Sequence, residues 1–196
     1  VPAVEPTLVT HGDITLPVLD AVHNRRSHSR VTQSAPSHDD LLPLVSAAAR
    51  AADHASLRPW RLIELRGEAR NRLGDACVEA AGLTGEAALK QAAKPLRAAL
   101  LIAIVACRQP SDKVDEWEQD AAAAGVAHLL TLLLSEAGWG VMWRSGPQTR
   151  SAAVRRMHHL ADHEQLLGWL YVGAIPADCR PVPRTVVDAT TYLSVL

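Results

Sequence analysis

AALLIAIVAC, residues Ala98–Cys107, is an unbroken apolar run with no alternation. A strand buried on both faces reads this way, as does a piece of buried helix. Its short length and the flanking prolines, Pro95 and Pro110, favour the strand. A strand covered on both faces needs helices on each side, and the neighbouring sequence offers them. Downstream, Asp115–Ala137 opens acidic at Asp115, Glu116, Glu118 and Asp120, then turns apolar almost all round between Ala121 and Leu134. That pattern predicts a long helix whose whole circumference must be covered, as in a central or interface helix. Upstream, Arg61–Arg66 (RLIELR) reads as a strand and Glu68–Ala81 as a helix that Gly82 ends.

Further out, Ser37 is placed to cap a helix over Asp39–Ala52, with Leu41, Leu44, Val45 and Ala48 on one stripe. Leu16, Leu19 and Val22 have helical spacing and run into Arg25 and Arg26. Gly138–Trp143 reads as a short strand and Leu166–Ile175 (LLGWLYVGAI) as a last buried one. Residues 1–15 look like an extended arm, and Thr185–Leu196 like a β-branched tail. The expectation is one α+β domain over residues 16–196, with long helices around a small sheet and no internal repeat.

At 196 residues the chain is long enough for one domain with a real core. Twenty basic residues against 21 acidic ones leave a formal net charge of −1, without the surplus needed to coat nucleic acid. Cys77, Cys107 and Cys179 are odd in number and widely spaced, so neither a disulfide framework nor a zinc site is expected, and a reducing cytoplasm is the default. Neither long apolar stretch reaches the roughly 20 residues of a membrane-spanning helix. No membrane association is expected.

Four constellations carry polar chemistry. Arg25-Arg26-Ser27 offers forked guanidinium donors and a hydroxyl to a phosphate; its blander reading is an exposed basic helix end. Arg50 to Arg61 (RAADHASLRPWR) is dense in polar groups just before a strand, where loops present binding groups; a helix-end Asp–His contact beside a core Trp is the plain alternative. Trp143-Arg144-Ser145 joins an aromatic, a cation and a hydroxyl, suited to a flat conjugated anion, or else is simply a turn. His159 and His163 would share a face if helical, but no third ligand accompanies them and no metal site is expected. GxSxG, GxxxxGK[ST] and GxGxxG are all absent, leaving hydrolase triads, P-loops and Rossmann dinucleotide sites without support.

The order of these pieces resembles the nitroreductase family of flavin enzymes, in particular its small single-domain NAD(P)H subgroup. The matching residues are Arg25-Arg26-Ser27, then Ala52–Arg61 (ADHASLRPWR), Trp117-Glu118-Gln119, Ala137-Gly138, Trp143-Arg144-Ser145-Gly146 and Leu167–Gly173 (LGWLYVG). Together they span about residues 16–176. The resemblance implies an α+β fold with a central, mostly antiparallel sheet flanked by helices. It also implies an intertwined homodimer with FMN at the subunit interface and the tail 185–196 crossing to the partner.

Carried over, Arg25, Arg26 and Ser27 would grip the FMN phosphate and ribityl chain. Arg50 and His54 would reach the FMN from the other subunit, and Trp143, Arg144 and Ser145 would complete its binding. Leu133, Leu134, Ser135, Glu136, Ala137 and Gly138 resemble the segment assigned to NAD(P)H. The implied activity is hydride transfer from NAD(P)H by way of FMN to an organic acceptor such as a nitro compound or quinone, in a ping-pong route that needs no protein nucleophile. A flavin storage or sensor protein would use the same contacts. The sequence departs from the broader family at Ala52, Asp53, Ser56 and Arg58, and Ala52 and Arg58 depart even from the subgroup.

Overall fold

The computed structural model describes residues 17–180, 185 and 187–196. The expected arm at 1–15 lies outside them. Ten main elements follow in order: α1 (Pro17–Asn24), α2 (His38–Ala48), β1 (Trp60–Leu65), α3 (Glu68–Ala81), α4 (Gly85–Ala92), β2 (Leu100–Cys107), α5 (Glu116–Glu136), β3 (Trp139–Arg144), α6 (Ala152–Met157) and β4 (Glu164–Ala174). The four strands form one antiparallel sheet in the order β1-β2-β4-β3.

The run that opened the sequence is a central strand, and its two faces feed two cores. Leu100, Ile102 and Ile104 pack with Leu41, Val126, Leu130 and Leu134 on the α2/α5 side. Leu101, Ala103 and Val105 pack with Leu73, Cys77 and Val154 on the α3/α6 side. Period-two geometry therefore gives apolar residues at every position, which is why alternation is missing.

Strand β4 is bulged. Its register against β2 slips between Ile104 and Val105, leaving Leu167 unpaired, so Leu166 and Trp169, three apart, reach the same core. Gly168, just after the bulge, has φ +144°; a Cβ there would lie 2.5 Å from the Arg144 carbonyl oxygen and from Trp143 Nε1. Only glycine suits that crossing.

Local signals explain the helix ends. Ser37 caps α2 in a capping box with Asp40, and Asp115 caps α5 in another with Glu118. Gly82, left-handed at φ +59°, ends α3. Two short helices, α4 and α6, escape the sequence patterns because each contributes little to a periodic stripe. Helix α6 stops at Met157, so His158, His159 and His163 do not share a helical face.

Helix α5 is covered on one side only within the described protomer. Its buried face runs Gln119, Ala122, Ala123, Val126, Ala127, Leu130, Thr131 and Leu134, while Trp117 (68% exposed) and Leu129 lie on its open side. One protomer thus covers about half of an all-round apolar helix.

The segment after α1 is fastened to the sheet. Ser27 forms a parallel bridge with Val141, and Thr32 and Ser34 bond Ala174 from its carbonyl and amide. A Cβ on Gly173 would fall 2.6 Å from the Thr32 carbonyl oxygen, and one on Gly140 would fall 2.9 Å from Val31 Cγ1. Gly173→Ala should therefore cost about 1–3 kcal/mol in urea unfolding through overpacking; an unchanged midpoint would show that the segment yields freely.

Arg61 clamps the buried Glu164 through two bonds, Nε to Oε1 at 2.6 Å and Nη2 to Oε2 at 2.8 Å. The Arg61 bonds hold the Glu164 carboxyl at about 2, below its ordinary 4.5. A lowered carboxyl makes the clamp's stability complete above about pH 4.5 and progressively lost as pH falls towards 2. Glu164→Gln should lose about 2–3 kcal/mol at neutral pH and show a flatter acid limb in thermal melts.

Candidate functional site

Two cavities lie beside β3, one lined by the segment that follows α1 and the other by β3 and β4 themselves. The first, of about 530 Å³, is lined by residues 25–30, Ile175 and residues 178–180. It draws four arginines together: Arg25, Arg26, Arg30 and Arg180. Asp178, the one carboxylate among its lining residues, is held by Arg30 at 2.6 Å. His28 has a buried Nδ1 without a hydrogen-bond partner among the described residues. Burial, aided by the charges of Arg26 and Arg25, holds its imidazole below the ordinary histidine value and so favours the neutral ring.

The second cavity, of about 490 Å³, has an aromatic wall of Trp143, Trp169 and Tyr171 and a cationic set of Lys94, Arg97 and Arg144, with no carboxylate among the described residues that line it. The Arg144 guanidinium carbon lies 5.3 Å from the Tyr171 ring centre. Its Nη2 touches the Ser29 carbonyl oxygen at 3.5 Å, reaching towards the first cavity, and its Nε is buried and unpartnered among the described residues. Trp143 tilts against the His128 ring of α5 at 5.0 Å.

This chemistry is that of an anion receptor. A neutral histidine, forked guanidiniums and the Ser27 hydroxyl could donate to phosphate oxygens, and flat aromatic walls could accept a conjugated ring. The Tyr171 hydroxyl, pushed by burial to about 12, stays protonated. Burial raises the Cys77 thiol, and burial with the Glu164 carboxylate pushes Cys107 to about 12, so neither offers a thiolate near neutral pH. Among the described residues no group of three or more metal-ligating side chains is assembled, and no helix is long and apolar enough to cross a membrane.

Two of the sequence clusters thus converge, Arg25-Arg26-Ser27 and Trp143-Arg144-Ser145. The others lie elsewhere in the protomer. His54 pairs through Nδ1 with Glu118 of α5 at 2.9 Å, and Arg50 follows the end of α2; neither lines the two cavities. Residues 133–138 close α5 and lead into β3, roughly 15 Å along the strand from Trp143. Leu134 is buried in the core, so its side chain cannot touch a ligand, whereas Glu136, Ala137 and Gly138 are exposed. Sequence reading missed Lys94, Arg97, Arg180 and His28. Isolated cations in short helices and loops carry no spacing signal, although Arg30 and His28 adjoin the cluster that was found.

A model of the nitroreductase family matches residues 22–174. The chain belongs to the nitroreductase family. YdjA of Escherichia coli (strain K12), named as a candidate NAD(P)H nitroreductase, is 34% identical over 90% of this chain and 97% of its own length. Among solved structures, a nitroreductase-like family protein from Bacillus cereus superposes with TM-score 0.80 at 23% identity, covering 94% of this chain and 98% of its own. A nitroreductase with bound FMN from Bacteroides fragilis gives TM-score 0.74 at 16% identity, covering 93% and 100%. These likenesses establish a nitroreductase fold, whose antiparallel sheet carries both cavities on the flank of β3.

Behind the aromatic wall, the Trp169 indole N–H donates to His158 Nε2 at 3.0 Å, while His158 Nδ1 faces the Val154 carbonyl oxygen at 2.9 Å. This arrangement needs a neutral ring protonated on Nδ1, and burial holds His158 below its ordinary 6.5. Its stability contribution is complete above about pH 6.5 and falls as pH drops below that, because the unfolded chain then binds the extra proton. His158→Phe leaves the indole N–H unpaired and should cost about 1–3 kcal/mol at pH 7.5. In urea unfolding the gap to the parent should narrow by pH 5.5; a constant gap would contradict the neutral-ring assignment.

Proposed function

We propose that the chain is an FMN-dependent NAD(P)H oxidoreductase that reduces an organic acceptor such as a nitro compound or a quinone. The observation that supports this most is the pair of acid-poor cavities beside β3, with buried donors on Arg144 and His28 left over for a ligand. Arg25, Arg26 and Ser27, with Arg30 and Arg180 beside them, would hold the phosphate. Trp143 and Ser145 would line the ring, and the spare Nε of Arg144 would meet negative charge on it. Bound FMN supplies two-electron hydride chemistry between reduced nicotinamide and the acceptor. The protein's own part is to bind, orient and stabilise charge; no side chain is assigned as acid, base or nucleophile.

A homodimer belongs to this reading. Helix α1 exposes Val18 and Val22, α5 exposes Trp117 and Leu129, and the tail exposes Tyr192, Leu193 and Val195. A second copy covering these surfaces would bury apolar area that one protomer leaves in water. It would also bring Arg50 and His54 to the partner's flavin and allow the tail 185–196 to cross. Residues 133–138 remain the proposed nicotinamide segment, through the backbone and the exposed Glu136–Gly138 end.

Purified protein, reconstituted with FMN, should be yellow and should bleach within seconds when mixed anaerobically with NADH or NADPH. Arg25→Gln and Arg144→Gln should each weaken FMN retention about tenfold or more, read by fluorescence of released flavin. Colourless protein after reconstitution, or unchanged affinity in both variants, would overturn the proposal. Bound flavin that stays oxidised would identify a storage or sensor protein instead.

A further inference from the structure

We propose that the acceptor this site favours is a flat ring carrying an anionic group, such as a nitroaromatic carboxylate. The inference rests on the flavin reading above and adds the charge class of the substrate.

A third cavity, about 800 Å³ near the start of α5, has a lining of mixed charge. Its Arg108 is paired with Asp120 and Glu116, and its Arg150 and Arg155 donate to backbone carbonyls of Leu166, Glu164 and Ala161. Asp115, Glu116, Asp162 and Glu164 share the same lining. Three arginines thus share that lining with four carboxylates, so opposite charges nearly cancel there.

The aromatic cavity is different. Lys94 donates to the neutral amide oxygen of Gln91 at 2.6 Å, Arg144 lies over Tyr171, and among the described residues neither these nor Arg97 enters an ion pair. Among the described residues, a chain of net charge −1 has thus gathered three cations outside any ion pair into one cleft and no carboxylate beside them. The bound flavin would not use them all. Its phosphate faces the arginines of the neighbouring cavity, and its ring is neutral when oxidised and carries one negative charge when reduced. Three cations face that single charge, which leaves a positive field for whatever enters next. A cleft of one sign with low-dielectric aromatic walls focuses that field and raises both local concentration and capture rate of an oppositely charged substrate. The aromatic walls select flatness, and the cations select the anion.

For a nitro acceptor the reaction balances as ArNO2 + NAD(P)H + H+ → ArNO + NAD(P)+ + H2O. The nicotinamide is oxidised by two electrons, the nitro nitrogen is reduced by two, and the departing oxygen leaves as water with the second proton drawn from solvent. The anionic substituent takes no part in these bonds and acts only in binding.

The test uses FMN-loaded protein, first reduced anaerobically with NADH, then mixed in a stopped-flow instrument with 4-nitrobenzoate, 4-nitrobenzamide or (4-nitrobenzyl)trimethylammonium. The benzoate-to-benzamide ratio of second-order rates should fall about fivefold or more in Arg97→Gln, and further in Arg97→Glu. Raising ionic strength from about 20 to 200 mM should slow the benzoate, leave the benzamide level and speed the cation. Because the same acceptors are compared within each protein, intrinsic ease of reduction cancels between parent and variant. A ratio that is unmoved by both substitutions and by salt overturns this inference while the flavin reading stands. A salt effect confined to the NADH step overturns it too, assigning the cations to the nicotinamide dinucleotide. Protein that takes up no FMN fails the function proposed above before acceptor charge is reached.

Discussion

Gly140 and Gly173 carry no side chain, and the Val31 side chain together with the Thr32 carbonyl occupies the space where theirs would stand. That close approach is the constraint on which the candidate site depends. It lets Thr32 and Ser34 hydrogen-bond Ala174 and lets Ser27 bridge Val141, which fastens a non-helical segment along the flank of β3. Arg25, Arg26 and His28 would otherwise belong to a mobile stretch after a short helix. Pinned there, they line a cavity beside β3, on the other side of which Trp143 and Arg144 line a second, so a ligand would meet donors already in place.

The sheet supplies the second half of this arrangement. Strand β2 is sealed on both faces by separate cores, which makes it a rigid axis, and β4 transmits that rigidity to β3. The bulge at Leu167 changes the phase of β4, putting Trp169 and Tyr171 on the α3/α6 side under Arg144. Trp169 is further held by His158, whose buried neutral ring accepts the indole N–H. The aromatic wall is consequently an extension of the core rather than a surface decoration. Polar function and apolar packing meet at this boundary, where neutral histidine and protonated tyrosine avoid the cost of burying charge.

Much of the fold was legible because each strong signal had a local cause. The unbroken apolar run at Ala98–Cys107 reflects burial on both faces, the acidic opening of α5 reflects its dipole and capping box, and Ser37 and Gly82 mark helix ends through their own backbone chemistry. Helices α4 and α6 were not legible, since they are short and their few buried residues form no stripe. The site was half legible. Arg25–Ser27 and Trp143–Ser145 stand as dense clusters, whereas Lys94, Arg97 and Arg180 are single cations among many. The open face of α5 also shows the limit of a periodicity argument: an all-round apolar helix demands cover, and its pattern does not say whether the same chain provides it.

The residue order by itself determined the elements, the α+β class and the family motifs, because helix caps, strand burial and glycine turns are set within a few neighbours along the chain. The tertiary structure alone decided which motifs meet. It brought Arg25–Ser27 to Trp143–Ser145 across more than a hundred residues while leaving Arg50, His54 and residues 133–138 outside the cavities. It also gathered Lys94, Arg97 and Arg144, none of which enters an ion pair among the described residues, around one cavity beside β3. Net charge adds over the sequence regardless of place, whereas a binding field depends on distance, and distance is fixed only when the strands have paired.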